Sequence, residues 1–203
     1  AQTRGQFELD RARACLSEAG IGGCLTNFPA EEALWEDSTR QLGRSLRAAG
    51  IALLEYNAPF VIPAVSTDSC ATVAERTVRL LALAEGAGCL NVATCVGGPR
   101  GILPHRANRT GQAWQTLRRT CDLVAAGAGQ LGLRARLLIE PVYTTVVGSP
   151  AELARLVDEV ASPCVRGHMD IANCLRFDLI FDHAAYIRDG FRTLGDRIHS
   201  AHI

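Results

Sequence analysis

Hydrophobic positions along the chain follow two spacings that alternate from the N-terminus to the C-terminus. Six segments repeat apolar residues every three or four positions, as a helix with one buried face does: residues 9–19, 37–49, 73–87, 114–132, 149–160 and 182–194. A short, mostly apolar run comes after each of them: residues 21–26, 51–56, 89–94, 136–140, 165–170 and 198–203. Such runs are typical of strands covered on both faces. The sequence therefore predicts six helices and six strands, beginning with a helix.

This alternation is typical of parallel β/α units joined by right-handed crossovers. An open doubly wound sheet and a (β/α)₈ barrel both fit it. No G-x-G-x-x-G motif follows a predicted strand, so the dinucleotide-binding form of the open sheet lacks its fingerprint. We expect one domain over residues 1–203.

Composition narrows the functional classes. The 203 residues are 48% hydrophobic and 21% charged with a formal net charge of zero, which indicates neither a nucleic-acid partner nor a charged membrane surface. No apolar run approaches the roughly 18 residues of a membrane span, and we interpret the protein as soluble and cytoplasmic. All 21 basic residues are arginine, which excludes Schiff-base and pyridoxal-phosphate chemistry through lysine. The eight cysteines form no C-x-x-C pair, and we expect free thiols.

Three consecutive predicted strands end in a residue that can bind a metal ion. Glu140 closes an apolar strand before Pro141, and Asp170 and His202 follow at intervals of 30 and 32 residues, about one β/α unit each. The ends of parallel strands meet at one edge, so we expect these side chains to converge. Mixed carboxylate and imidazole donors suit a divalent ion such as Mn²⁺, Co²⁺ or Mg²⁺, and Zn²⁺ accepts the same donor types.

The residues around these three positions resemble a known family. Residues 138–141 read Leu-Ile-Glu-Pro, residues 168–173 read His-Met-Asp-Ile-Ala-Asn, and residues 195–202 end in His-Ser-Ala-His. In this order they are similar to the xylose-isomerase-like sugar phosphate isomerase/epimerase superfamily, whose fold is a (β/α)₈ barrel. That superfamily also contains ketose 3-epimerases, inosose dehydratases and endonuclease IV. The similarity extends over nearly the whole chain.

The resemblance implies a fold, an activity and a role for each residue. Glu140 would bind the metal ion and remove a proton next to a carbonyl, while Asp170 and His202 would be further ligands and Asn173 would touch a substrate oxygen. The implied reaction is isomerisation or epimerisation of a ketose, ketose phosphate or inosose through an enediolate. Relative to the family pattern, the first and last strands and a fourth ligand, a glutamate, are missing. We therefore expect an incomplete barrel that is inactive as it stands.

Several alternatives remain open at this level. Glu140 could instead pair with an arginine, and Asp170 could cap the turn after it. We favour a hydrogen-bonded interior role for His168 over metal binding. Asn57 and His105 are weaker candidates for substrate contact.

Other functions on the same scaffold also stay open. They are an inosose-dehydratase-like lyase and a degenerate, non-catalytic barrel. A DNA-repair endonuclease would need a basic groove and more than the five histidines present. The sequence leaves open whether the protein forms a homo-oligomer.

Overall fold

The computed structural model describes residues 4–63, 70–98 and 101–202. Its helices are α1 (Arg4–Glu18), α2 (Trp35–Ala49), α3 (Cys70–Gly86), α4 (Gly111–Gln130), α5 (Pro150–Val160), α6 (Ile171–Cys174) and α7 (His183–Leu194). Its strands are β1 (Gly23–Asn27), β2 (Ala52–Asn57), β3 (Ile62–Pro63), β4 (Asn91–Gly97), β5 (Arg136–Glu140), β6 (Val165–Asp170) and β7 (Ile198–His202). All six predicted helices and all six predicted strands are present, and Ile203 lies outside the described residues.

The strands form an incomplete parallel barrel, as the sequence predicts. Six of them lie side by side in chain order, β1-β2-β4-β5-β6-β7, and every neighbouring pair is parallel. An open doubly wound sheet would instead reverse its strand order part of the way along the chain. The sheet also curls, as a contact between two distant strands shows. The Ser200 hydroxyl on β7 lies 2.7 Å from the Glu55 carboxylate on β2.

The two faces of the curled sheet differ in chemistry. Outward side chains such as Val92, Leu137 and Ile139 are fully buried with helix residues such as Leu80 and Leu117, and they form the main core. The inner face carries polar groups at the ends of the strands. The helices thus hold the sheet from outside, while its concave face is left for a site.

Local sequence signals explain where the helices begin and end. Helix α2 stops at Gly50, whose φ of +69° is a left-handed conformation that glycine adopts without strain. Helix α5 starts with Ser149, whose hydroxyl accepts the Glu152 N–H, and has Pro150 in its first turn. Because these signals determine where a helix begins or ends, they also determine how many residues separate successive strands.

The short strand β3 is not predicted by the sequence. It contains two residues, one of them a proline, and pairs with Val96 and Gly97 at the end of β4. A strand of this length has no alternation to detect. Strand β3 helps to shape the rim, because the segment from Asn57 to β3 folds over the end of β4. There the Thr94 hydroxyl donates to the Phe60 carbonyl. Within the described ranges, no helix combines the length and apolarity needed to cross a membrane.

Candidate active site

The strand register brings the predicted site residues to one rim. Cys95 on β4 is paired with Glu140 on β5, and Asp170 on β6 is paired with His202 on β7. Glu140, Asp170 and His202 each offer one donor atom within 4.8 Å of the donors of the other two. A single small cation can therefore be reached by all three.

Asn173 connects the two carboxylates. Its side-chain amide donates to Glu140 Oε1 and, at 3.2 Å, to Asp170 Oδ2. Its backbone N–H donates to Asp170 Oδ1 at 2.9 Å, because Asp170 is the N-cap of the short helix α6. The capping role considered for Asp170 is therefore real, and it leaves Oδ2 directed at the site.

Glu140 is buried, with 8% of its surface exposed, and its partners are neutral. Besides Asn173, the Cys95 thiol donates to its second oxygen at 3.5 Å. In the part of the chain that the structure describes, no arginine forms an ion pair with Glu140, so the pairing alternative finds no support. A buried carboxylate held by neutral donors is suited to bind a cation or to accept a proton.

A cavity of about 330 Å³ opens beside these residues. Glu140 and His202 line it together with Asn57 and the segment that leads to β3. Its full lining is Asn57, Ala58, Pro59, Phe60, Val61, Ala93, Thr94, Cys95, Glu140 and His202. The cavity is large enough for a small polar molecule such as a sugar.

His105 is not in this cavity. It lines a separate one of about 380 Å³ with Arg106, Arg109 and Tyr143, and its Nδ1 accepts the Ala107 N–H at 3.1 Å. The structure thus groups Asn57 and Asn173 with the three candidate ligands and leaves His105 apart. Its substrate contact stays a prediction.

Sequence reasoning passed over Glu55. It lies on β2 two residues before Asn57, and its Oε1 is 3.5 Å from His202 Nε2 on the other side of the barrel. The opposite ring nitrogen of His202, Nδ1, is 3.5 Å from Asp170 Oδ2. His202 is therefore held between two carboxylates. The sequence marks Glu55 only as a charged residue inside an apolar strand, whereas Glu140 stands at the end of its strand.

Two thiols near the site are unsuited to act as nucleophiles. Burial, reinforced by the charge of Glu140, raises the pKa of Cys95 to about 12. Burial, together with Asp170 and Glu140, raises the pKa of Cys174 to about 12 as well. Both stay protonated at neutral pH, and all eight cysteines are free, as expected.

The donors at the rim fit a divalent ion. Two carboxylates and one imidazole from three neighbouring strands are a ligand set that Mn²⁺, Mg²⁺, Co²⁺ and Zn²⁺ all accept. Asn173 donates hydrogen bonds to both carboxylates and fixes their orientation, as supporting groups around metal sites do.

Comparisons with known proteins agree with this architecture. The family model for xylose isomerase-like TIM barrels matches residues 15–203. No curated protein matches the sequence at a significant level.

Three solved structures illustrate the similarity. The 3-keto-D-glucoside 4-epimerase from E. coli has a TM-score of 0.72 at 10% identity, over 96% of this chain and 73% of that one. D-psicose 3-epimerase has a TM-score of 0.70 at 15% identity, over 99% and 68%. The probable 3-DHS dehydratase AsbF from Bacillus anthracis has a TM-score of 0.66 at 15% identity, over 95% and 66%. At these identities the likeness shows the fold, and each of the three chains extends beyond the part matched here.

Proposed function

Because the chain belongs to the xylose isomerase-like TIM barrel family, we propose that it carries the catalytic centre of a metal-dependent sugar isomerase or epimerase. Its substrate would be a ketose, ketose phosphate or inosose, and the reaction would pass through an enediolate. The observation that carries the proposal is the convergence of Glu140, Asp170 and His202 beside a cavity of sugar size. Two of the three solved structures described above are sugar epimerases by name.

Glu140, Asp170 and His202 would hold the divalent ion. When bound, the ion supplies Lewis-acid stabilisation of negative charge on the substrate carbonyl and the neighbouring hydroxyl. Asn173 keeps the Glu140 and Asp170 carboxylates side by side in the absence of that ion. The other ring nitrogen of His202, Nε2, lies 3.5 Å from Glu55 Oε1, on the side away from Asp170.

Glu140 would also be the base that removes the proton from the carbon next to the carbonyl. Its carboxylate is largely shielded from water yet borders the cavity, so it can reach a bound substrate and is weakly solvated. Cys95 donates to one of its oxygens and Asn173 to the other, which fixes the direction of the lone pairs. Asn57, which lines the cavity, and Asn173 are the amides that would hydrogen-bond sugar hydroxyl groups.

Proton removal and inversion place different demands on the site. Exchange of the substrate proton with solvent needs one base, whereas epimerisation needs a second acid or base on the other face of the carbon. The described strands supply Glu140 for the first step. We expect negligible turnover by this chain by itself, because the described strands do not close a barrel, so proton exchange, which needs the first step alone, is the more sensitive readout.

The test is solvent exchange. The protein is incubated with ketoses, ketose phosphates and inososes in D₂O with Mn²⁺ or Mg²⁺, and loss of the substrate C–H signal is followed by NMR. We expect metal-dependent exchange that falls roughly 10²- to 10⁴-fold in Glu140→Gln, the usual range for a general base. Glu75→Gln, an exposed change on α3, is the matched control. Tight metal binding without exchange of any such substrate contradicts the proposal.

A lyase of the dehydratase kind is the second candidate. The similarity to a probable 3-DHS dehydratase supports it, and it would share proton removal by Glu140. The two reactions differ after proton removal, since a lyase expels a hydroxyl group as water. Mass spectrometry of the same incubations separates them, because a product lighter than the substrate by the mass of one water molecule indicates the lyase.

A further inference from the structure

A second group of buried polar side chains lies inside the barrel below the rim. Glu55 on β2 is 5% exposed and His168 on β6 is not exposed at all. Ser200 and His202 on β7 complete the group, in which Glu55 lies 2.7 Å from the Ser200 hydroxyl and 3.3 Å from His168 Nδ1. Among the described residues, the ion-pair partners of Glu55 are the two imidazoles of His168 and His202.

The hydrogen bonds fix which nitrogen of His168 carries a proton. The Ser200 hydroxyl donates to Glu55 Oε2, since a carboxylate only accepts. Ser200 Oγ must then accept from His168 Nδ1, which lies 2.6 Å away. In the neutral ring, Nε2 is left with a free lone pair in a place that water does not reach.

Three polar atoms in this group have no hydrogen-bond partner within the described part of the chain. They are Glu55 Oε1, His168 Nε2 and His202 Nε2, and all three are buried. A buried polar atom without a partner destabilises the fold. Glu55 Oε1 and His202 Nε2 lie only 3.5 Å apart, and the side chains of Glu55 and His168 are more than nine-tenths buried. Unsatisfied polar atoms on side chains this deeply buried indicate that something binds between them.

We infer that Glu55, His168 and His202 form a second cation site, deeper in the barrel than the site at the rim. One donor atom of each residue lies within 4.8 Å of those of the other two. Two imidazoles and one carboxylate are a nitrogen-rich set that favours Zn²⁺ or Co²⁺. The rim set, with two carboxylates, accepts the harder Mn²⁺ and Mg²⁺ more readily.

His202 belongs to both sets and couples them. A neutral imidazole has one nitrogen with a free lone pair, and in His202 Nδ1 faces Asp170 at the rim while Nε2 faces Glu55 below. Binding at the deeper site requires the tautomer that donates from Nδ1 to Asp170. The rim site requires the opposite one. The two ions therefore compete for His202, and the deeper site selects Zn²⁺ or Co²⁺.

The test uses Co²⁺ as a spectroscopic probe of the metal-free chain. Four-coordinate Co²⁺ with imidazole ligands absorbs strongly in the visible, whereas six-coordinate Co²⁺ absorbs weakly. We expect the strong bands in the wild type, and a loss of Co²⁺ affinity of roughly 10- to 100-fold or more in Glu55→Gln. Glu140→Gln, which removes a donor of the rim set alone, should leave the bands in place. Excess Mn²⁺ should compete poorly.

The outcomes are distinguishable from those of the exchange assay, because the spectrum does not depend on turnover. Strong bands that survive Glu55→Gln, or that disappear only in Glu140→Gln, overturn the deeper site. If Glu55→Gln fails to fold, the wild type decides: Zn²⁺ must perturb the ring NMR signals of both His168 and His202. An unperturbed His168 signal at saturating Zn²⁺ also overturns the inference.

Discussion

At the scale of single residues, Asn173 has to satisfy two acidic side chains of the rim site at once. Its amide is shared by Glu140 and Asp170, two carboxylates that would otherwise repel each other. A neutral donor between two acids stabilises the metal-free protein and also limits the negative charge offered to an ion. The choice of amide at position 173 therefore balances stability against metal affinity.

Asn173→Asp should shift that balance. A third carboxylate in place of the amide removes two hydrogen bonds and adds repulsion, so we expect the metal-free protein to lose about 1–3 kcal/mol of stability. Mn²⁺ should restore more of the melting temperature than it does in the wild type, because the ion gains a ligand. Thermal unfolding with EDTA and with Mn²⁺ measures both effects.

Asn27→Asp, at the exposed end of β1, is the control for this substitution, and it should change the melting temperature little under either condition. An Asn173→Asp protein as stable as the wild type in EDTA would show that Asn173 does not relieve repulsion between the carboxylates.

Residues at strand ends could be predicted, whereas those within strands could not. Glu140, Asp170 and His202 are each the last residue of a strand, and equal spacing of β/α units is enough to group them. Glu55 is an interior strand position whose partner Ser200 lies 145 residues away. Only the curvature of the sheet joins them, and a hydrophobic pattern carries no information on curvature.

At the scale of elements, helix packing depends on where glycine permits close approach. Helix α2 lies so near the end of α3 that a Cβ on Gly43 would be 2.9 Å from the backbone of Ala87. Gly129 near the end of α4 has no heavy atom within 4 Å of its Cβ position. Helix packing therefore requires glycine at position 43 but not at position 129.

Replacing each by alanine should change stability in opposite directions. Gly43→Ala should destabilise the protein by about 1–3 kcal/mol, because α2 must move away from Ala87. Gly129→Ala should stabilise it by up to about 1 kcal/mol through helix propensity. Urea unfolding of the two variants measures the difference, and equal effects would contradict the close approach.

Element boundaries were predictable where a capping signal exists. Gly50 and the Ser149–Glu152 box mark ends that the structure reproduces. The strand β3 and the four-residue helix α6 were not predictable, because neither is long enough to show a period. Both lie at the rim, so the sequence describes the scaffold better than it describes the walls of the cavity.

At the scale of the whole molecule, one carboxylate links two successive β/α units. Glu85 at the end of α3 accepts the backbone N–H groups of Arg134 and Ala135 at 2.8 and 2.9 Å, just before β5 begins. Burial raises the pKa of Glu85, but these N–H groups and the Arg134 guanidinium outweigh it and hold the pKa below 4.5. The link is therefore strongest when Glu85 is ionised.

Glu85→Gln should consequently destabilise the protein in a pH-dependent way. Because the folded pKa is lowered, the stabilisation is present above about pH 4.5 and is lost as the pH falls through the folded value. We expect a deficit of about 1 kcal/mol at neutral pH that shrinks toward zero in more acidic solution. Urea unfolding across this range measures it.

Glu75→Gln, an exposed change on the same helix, serves as the control for the substitution itself. A Glu85→Gln deficit that stays constant down to about pH 3, well below the ordinary glutamate pKa, would show that the charge is not what matters.

The hydrogen bond between Glu55 and Ser200 also has a consequence for how the protein is made. During synthesis the N-terminal β/α units emerge first and can pack locally, while β7 leaves the ribosome after the other described strands. Until then the concave face of the sheet stays open, and the Glu55 carboxylate remains hydrated. Closure of the polar interior is thus a late event with a large sequence separation, so the two histidines meet Glu55 only after most of the scaffold exists.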